Sequence, residues 1–251
     1  MSGHSKWSSI KHKKGAADAK RGQLFSKLSK AIIVAAKTGG GDPLNNLALQ
    51  NAIEKAKSYS MPKDNIDRAI AKGSGADADA DAFESITYEG YGPEGVAVIV
   101  EALTDNKNRT AADVRHLFAK HGGNLGTDGS VSWQFERRGV VIVSAEGVDE
   151  DELFLAAADG GADDLEPDGS VFQISSAPEQ LAAVRAAVED AGFTVESAEL
   201  MLVPKITVSV DDEAKARQVM RLVDALEEND DVQDVYANFD IPEQVLEAVA
   251  S

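Results

Sequence analysis

The sequence predicts an α+β protein: a three-helix N-terminal domain followed by two ferredoxin-like α+β domains, one inserted in the other. Three observations predict it. Apolar residues recur at helical spacing as far as residue 73 and at strand spacing beyond an Asp/Ala-rich stretch at 74–82. From residue 140 the elements run strand, helix, strand, strand, helix, strand, the order of a ferredoxin-like unit. A strand–helix–strand left over at 206–239 has no partner of its own and is expected to complete the sheet begun at 84–135. The expected domains are 1–82, then 83–136 together with 205–240, with 137–204 inserted, and a C-terminal tail at 241–251.

Residues 1–15 are basic, polar and punctuated by glycine, which reads as an arm ordered on binding. Trp7 sits within it, either to stack on a base or to pack on the helices behind. A helix is expected over 16–37, with Leu24, Phe25, Leu28, Ile32 and Ala35 on one face. At about 100° per residue, Lys20, Lys27, Lys30 and Lys37 gather on the opposite side, facing solvent. Gly39-Gly40-Gly41 ends this helix, and Asp42 with Pro43 reads as the N-cap and first residue of a second, running to about 59. Pro62 opens a third and Gly73 closes it.

Strands are expected at 86–91 and 96–103, joined by Gly92-Pro93-Glu94-Gly95. A helix at 110–121 takes Asn108 as a possible N-cap, and a short strand follows at 131–135. The inserted unit then supplies a helix at 149–159, strands at 163–166 and 171–174, a helix at 178–191 and a strand at 194–202. A strand at 206–210, a helix at 211–228 and a strand at 232–239 finish the chain.

Charge is sharply segregated. Residues 1–72 hold fourteen Lys/Arg and five acids, a net +9, whereas the remainder holds eleven Lys/Arg and 38 acids, a net -27. A polyanion is attracted to the first part and repelled by the second. Each Lys or Arg that meets a phosphate releases a counterion, so the N-terminal part can bind nucleic acid without reading bases. The candidate contacts are Lys6, Trp7, Lys11, Lys13, Lys14, Lys20, Arg21, Lys27, Lys30 and Lys37. Lys107 and Arg109 form a second cluster at a strand-to-helix junction; they are either solvated charges beside a capped helix or another nucleic-acid or partner contact.

Other chemistry finds little support. There is no cysteine, hence no disulfide and no thiolate site. Asp77, Asp79 and Asp81 match the first ligands of a calcium loop, but neither its glycine nor its closing glutamate follows. His4, His12, His116 and His121 are too scattered for a zinc site. The Gly-rich stretch Gly122-Gly123-Asn124-Leu125-Gly126 to Gly129 follows a helix and precedes a strand, so it reads as a turn rather than a phosphate cradle. No nucleophile elbow or paired-carboxylate signature appears. There is no apolar run of membrane-spanning length and no secretory h-region, so a cytoplasmic protein without membrane contact is expected.

A set of ordered motifs runs the length of the chain: Gly3-His4-Ser5-Lys6-Trp7, Ile10-Lys11-His12-Lys13-Lys14, Asp18-Ala19-Lys20-Arg21-Gly22, Phe25-Ser26-Lys27-Leu28, Gly40-Gly41-Asp42-Pro43, and Met61-Pro62-Lys63-Asp64-Asn65-Ile66. Tyr88-Glu89-Gly90-Tyr91-Gly92-Pro93 and Leu103-Thr104-Asp105-Asn106 continue it. Together they resemble the YebC/PmpR family. Ala31, Leu47 and Gln50 depart from its pattern, standing where Glu, Pro and a basic residue are expected. The resemblance implies a helical domain and two α+β domains, with no catalysis and no cofactor. It implies a DNA-binding transcriptional regulator; the alternative is a ribosome-associated translation factor, like mitochondrial relatives, that aids elongation through proline-rich sequences. The partners are then DNA, or ribosomal RNA with basic ribosomal proteins, and the chain is expected to be a monomer.

Overall fold

The structure is a computed structural model and describes residues 18–75 and 83–250. The basic arm with Lys6, Trp7, Lys11, Lys13 and Lys14, and most of the Asp/Ala stretch, lie outside the described residues. Residues 18–75 are termed the head below, and residues 83–250 the body.

In the head, α1 (Asp18–Gly39), α2 (Leu47–Ser58) and α3 (Lys63–Ser74) enclose an apolar core. Leu28, Ile32 and Ala36 of α1 meet Leu49, Ile53 and Ala56 of α2, Met61, and Ile66 and Ala69 of α3. These positions recur at three- and four-residue spacing, so each helix presents one apolar face. The start of α2 differs from the sequence reading. Asp42 does not cap it, because its carboxylate closes a local turn, accepting from Leu44 N at 3.1 Å and Asn45 Nδ2 at 2.7 Å. The cap is Asn46, whose Oδ1 accepts from Leu49 N at 3.1 Å. Its Nδ2 donates to Ala35 O and Gly40 O, both at 2.8 Å, so one side chain starts α2 and ties off α1. Gly73 does not end α3 either; it lies inside the helix against α1.

The body contains two four-stranded sheets. The first has the order β3-β1-β2-β9, from β1 (Glu84–Tyr91), β2 (Ala97–Thr104), β3 (Asn124–Leu125) and β9 (Val232–Ala237), with every pairing antiparallel. Central β2 is apolar on both faces, as a doubly covered strand must be. Val98 and Val100 meet α4 (Lys107–Lys120) and α7 (Glu213–Glu227) through Val114, Phe118, Met220 and Leu222. Ala97 and Ile99 face the other way, toward Val131, Phe135, Tyr236 and the partly buried Met201 and Leu202.

The second sheet follows the βαββαβ order: β4 (Phe135–Ser144), α5 (Glu150–Asp159), β5 (Ala162–Asp168), β6 (Val171–Ser176), α6 (Leu181–Asp190) and β7 (Val195–Pro204). Its strand order, β5-β6-β4-β7, is antiparallel throughout. Val141, Val143, Phe172 and Ile174 pack under Leu153 and Ala157 of α5 and Val184 and Val188 of α6. The molecule is therefore α+β, with a helical N-terminal region ahead of sheet-containing units.

Three details differ from the sequence reading. Residues 131–135 form no strand of the first sheet; Ser132–Gln134 is a 3-10 turn, and Phe135 begins β4. Of 206–210, only Val208–Ser209 (β8) pairs, in parallel with Phe239–Asp240 (β10) and apart from the first sheet. Fully buried Asn238 explains this: its Nδ2 donates to Ile206 O and Gln134 Oε1, both at 3.0 Å, and its Oδ1 accepts from Ala97 N at 2.7 Å. Ile206 O and Ala97 N are thus held by a side chain rather than by a ladder. The expected C-terminal tail is a helix, α8 (Glu243–Ala250), whose Val245 and Val249 lie on the first sheet's core. Among the described residues, no helix is long and apolar enough to cross a membrane.

Two helical glycines should respond oppositely to alanine. A Cβ on Gly73 would lie 2.4 Å from Ile33 O and 2.8 Å from Ala36 Cβ, so Gly73→Ala is expected to destabilise the head by about 1–3 kcal/mol despite alanine's better helix propensity. A Cβ on Gly22 meets nothing within 4 Å, so Gly22→Ala is expected to stabilise by about 0.5–1 kcal/mol. Urea unfolding of the two variants checks the sign of each.

Candidate nucleic-acid interface

The lysine stripe of α1 is not a free face. Lys27 is 8% exposed, and its Nζ donates to Glu227 O at 2.5 Å. Lys30 Nζ donates to Asp230 O at 3.1 Å, stands 3.5 Å from Asp231 Oδ1 and lies over the Phe83 ring. Gln23 Nε2 donates to Glu228 O at 2.6 Å and Asp230 Oδ1 at 2.9 Å. The expectation that the whole stripe faces solvent is therefore corrected at Lys27 and Lys30. The physical reason is the C-terminus of α7, where the last backbone carbonyls have no intrahelical partner and carry partial negative charge. Glu227 O and Glu228 O meet that need with groups from α1. Lys37 and Arg21 remain exposed, with the Arg21 guanidinium over the Phe25 ring at 5.7 Å. Lys20 belongs to α1, but its side chain lies outside the described residues.

Asp231 organises this junction on the body side. Its Oδ2 accepts from Arg109 at 2.7 Å and from Thr110 Oγ1 at 2.9 Å, while Lys30 approaches the other oxygen. Its backbone carbonyl accepts from Leu103 N at 2.7 Å, which aligns the end of β2. Burial pushes the Asp231 carboxyl up, but the hydrogen bonds from Arg109 and Thr110 and the charges of Arg109 and Lys30 outweigh it and hold it below the ordinary aspartate value.

The second expected cluster resolves into pairs. Arg109 lies between Asp105, at 2.8 Å, and Asp231, and Lys107 pairs with Glu84. The cap of α4 is Asn106 rather than Asn108, for Asn106 Oδ1 accepts from Arg109 N at 3.1 Å. Both cations are exposed. They lie at a helix start, but each already has a carboxylate partner.

A further contact escaped the sequence reading. Lys55, on α2, reaches Asp234 of β9 at 2.6 Å and Glu199 of β7 at 3.3 Å, joining the head to both sheets. Burial opposes its charge, but Asp234 and Glu199 outweigh burial and keep it protonated. Burial and Asp234 push the neighbouring Tyr236 hydroxyl well up. Across the same seam, Arg185 of α6 stands 3.7 Å from Glu54 of α2. No local signal in the sequence marks these partners, since they lie more than a hundred residues apart.

The glycine-rich loop is not an anion cradle. The N–H groups of Gly129, Val131 and Ser132 donate to the buried Glu89 carboxylate at 2.8, 2.7 and 2.8 Å. Burial raises the pKa of Glu89, and these three donors more than reverse that shift. The donors a phosphate would need are thus occupied by the protein's own acid. Among the described residues, no cluster of three His, Cys, Asp or Glu could hold a metal ion.

Two predictions test this geometry. The Asp231 carboxyl has a lower pKa folded than unfolded, so its contribution is complete above about pH 4 and is lost as pH falls through the folded value. The stability difference between wild type and Asp231→Asn should therefore shrink as pH drops below about 4; a difference constant from pH 7 to pH 2 would refute the network. Separately, Asn106→Ala should lower stability by about 0.5–2 kcal/mol and Asn108→Ala should be nearly silent, as read by melting temperature.

Two family models match the chain. Residues 5–76 match the TACO1/YebC protein N-terminal domain, and residues 83–239 match the TACO1/YebC second and third domain. A protein of Rubrobacter xylanophilus named "Probable transcriptional regulatory protein" is 59% identical over 250 residues, covering 100% of both chains. One of the same name from Syntrophobacter fumaroxidans is 51% identical, again over 100% of both. The crystal structure of a conserved hypothetical protein from Aquifex aeolicus is 50% identical and superposes with a TM-score of 0.81, covering 91% of this chain and 94% of that one. With its motifs, its fold and both family models in agreement along the sequence, the chain belongs to the TACO1/YebC family.

Proposed function

We propose that this chain is a non-catalytic, cytoplasmic regulatory protein that binds DNA through its head and acts in transcription. The observation that carries the reading is the charge left on the head after docking. Arg21, Lys37, Lys57, Lys63, Arg68 and Lys72 are all exposed there, on a protein whose residues after 72 stand at -27. Lys6, Lys11, Lys13 and Lys14 add four cations next to α1 in the sequence. Such a distribution favours a phosphate backbone at one end of the molecule and repels it at the other. The names of the relatives from Rubrobacter xylanophilus and Syntrophobacter fumaroxidans support regulation of transcription as the role.

The docked geometry divides the cations into two classes. Arg21 and Lys37 are exposed and suited to phosphate contact, whereas Lys27 and Lys30 hold the head to the body. The double variant Arg21→Gln/Lys37→Gln is expected to bind DNA more weakly and to flatten the log–log salt dependence by about two units, with the head still folded. A salt slope equal to wild type would remove this face from the interface. A regulator of particular promoters should prefer its duplex over random DNA by about 10³-fold or more. Binding with no duplex preference, combined with co-sedimentation with ribosomes, would overturn the transcriptional role.

A further inference from the structure

The head and body have separate apolar cores. The head's core is built from Leu28, Ile32, Ala36, Leu49, Ile53, Ala56, Met61, Ile66 and Ala69, with no body residue among them or packed against them. The body's clusters likewise include no head residue. Among the described residues, the polar contacts between the two parts are hydrogen bonds, ion pairs and a cation–π contact: Gln23 and Lys27 on the end of α7, Lys30 on Asp230, Asp231 and Phe83, Lys55 on Asp234 and Glu199, and Glu54 on Arg185; α2 also runs close along β7, with Tyr59 beside Glu199. An interface of this kind weakens with salt, because the attraction between charges is screened over about 8–10 Å at ordinary ionic strength. Each part keeps its own buried core when the two separate.

Lys27 and Lys30 stand on the same helix as exposed Arg21 and Lys37. In the docked form, the carbonyls of residues 227 and 230 and the Asp231 carboxylate occupy the positions around them that a phosphate would otherwise take. We propose that the body is an internal competitor for the head: its acidic edge at residues 227–231 masks Lys27 and Lys30, and a nucleic-acid phosphate backbone displaces it, opening the head from the body. This inference rests on the proposed function and adds to it a closed and an open form. Binding then has two parts. The cations exposed in the docked form make the first contact, and Lys27 and Lys30 add theirs only after opening. The competition follows from simple linkage: a ligand that binds only the open form shifts the molecule toward that form.

The chain has no cysteine, so two can be placed without background. Gln23 and Asp230 lie at the junction, and replacing them removes no cation. The full-length variant Gln23→Cys/Asp230→Cys would be tethered with a short bismaleimide that reductant cleaves. Binding of a random-sequence DNA duplex would be measured across a salt series before and after cleavage. The tethered form is expected to bind more weakly, with a salt slope about two units flatter, and cleavage is expected to restore both. The same two cysteines, carrying a donor and an acceptor dye instead, should lose energy transfer on adding that duplex and on raising salt. Equal affinity and slope before and after cleavage, or energy transfer unmoved by bound DNA, would overturn the competition while leaving DNA binding by the head intact. Absence of DNA binding in either form, at any salt, would overturn the proposed function and the competition together.

Discussion

The arrangement of the body's first sheet against the head depends on one buried carboxylate. Asp231 is 6% exposed, at the turn between α7 and β9. Removing a carboxylate from water is costly unless its charge is paired and its oxygens receive hydrogen bonds. Arg109 supplies the charge, and Thr110 supplies a hydroxyl. The same turn fixes the end of β2 through Leu103 N, and Lys30 of the head closes the remaining side. Three pieces of chain that are distant in sequence, at residues 30, 103–110 and 231, therefore meet at one carboxylate-bearing turn. Arg109 fits this account: it stays exposed while its guanidinium neutralises the buried carboxylate beside it.

Around that constraint, apolar and polar forces divide the labour. Apolar burial holds each unit together, and it follows the periodicities that sequence reveals: every third or fourth residue in α1, and both faces of β2. Polar contacts set how the units sit. Lys55 is the clearest case, reaching both β9 and β7 from α2. A lysine can do this because its stem is long and apolar while its ammonium group accommodates two acids at once.

The fold class, the helices of the head and the βαββαβ unit were legible because binary patterning is local information. Caps were legible only to within a few residues. Asp42 and Asn108 are the residue types a cap requires, but Asp42 was used to close a turn, and Asn106 rather than Asn108 starts α4. Which Asx side chain reaches the third N–H depends on backbone geometry that composition does not encode. The strand expected at 206–210 failed for a related reason. Its pattern is strand-like, but Asn238, from thirty-two residues away, satisfies the backbone that a neighbouring strand would have paired. Least legible was the fate of Lys27 and Lys30. Their stripe is polar by any periodic measure, and their partners lie about two hundred residues later in the chain.

That last point changes how charge segregation should be read in such proteins. A net +9 over residues 1–72 beside a net -27 over the remainder describes two parts that attract one another as well as one part that attracts nucleic acid. Some of the head's cations are consumed by the fold: Lys27 and Lys30 at α7, Lys55 between β7 and β9. Counting lysines in the sequence therefore overstates the number of phosphates the docked head can neutralise. The acidic body does more than repel nucleic acid from the wrong surface. Placed against α1, it supplies partly negative backbone carbonyls and the Asp231 carboxylate, hard oxygen acceptors for the same ammonium groups that a phosphate would bind. A hydrophobic junction would have fixed the head in one position. A junction made of charges leaves it responsive to ionic strength and to polyanions, at the cost of a weaker contact between the two parts.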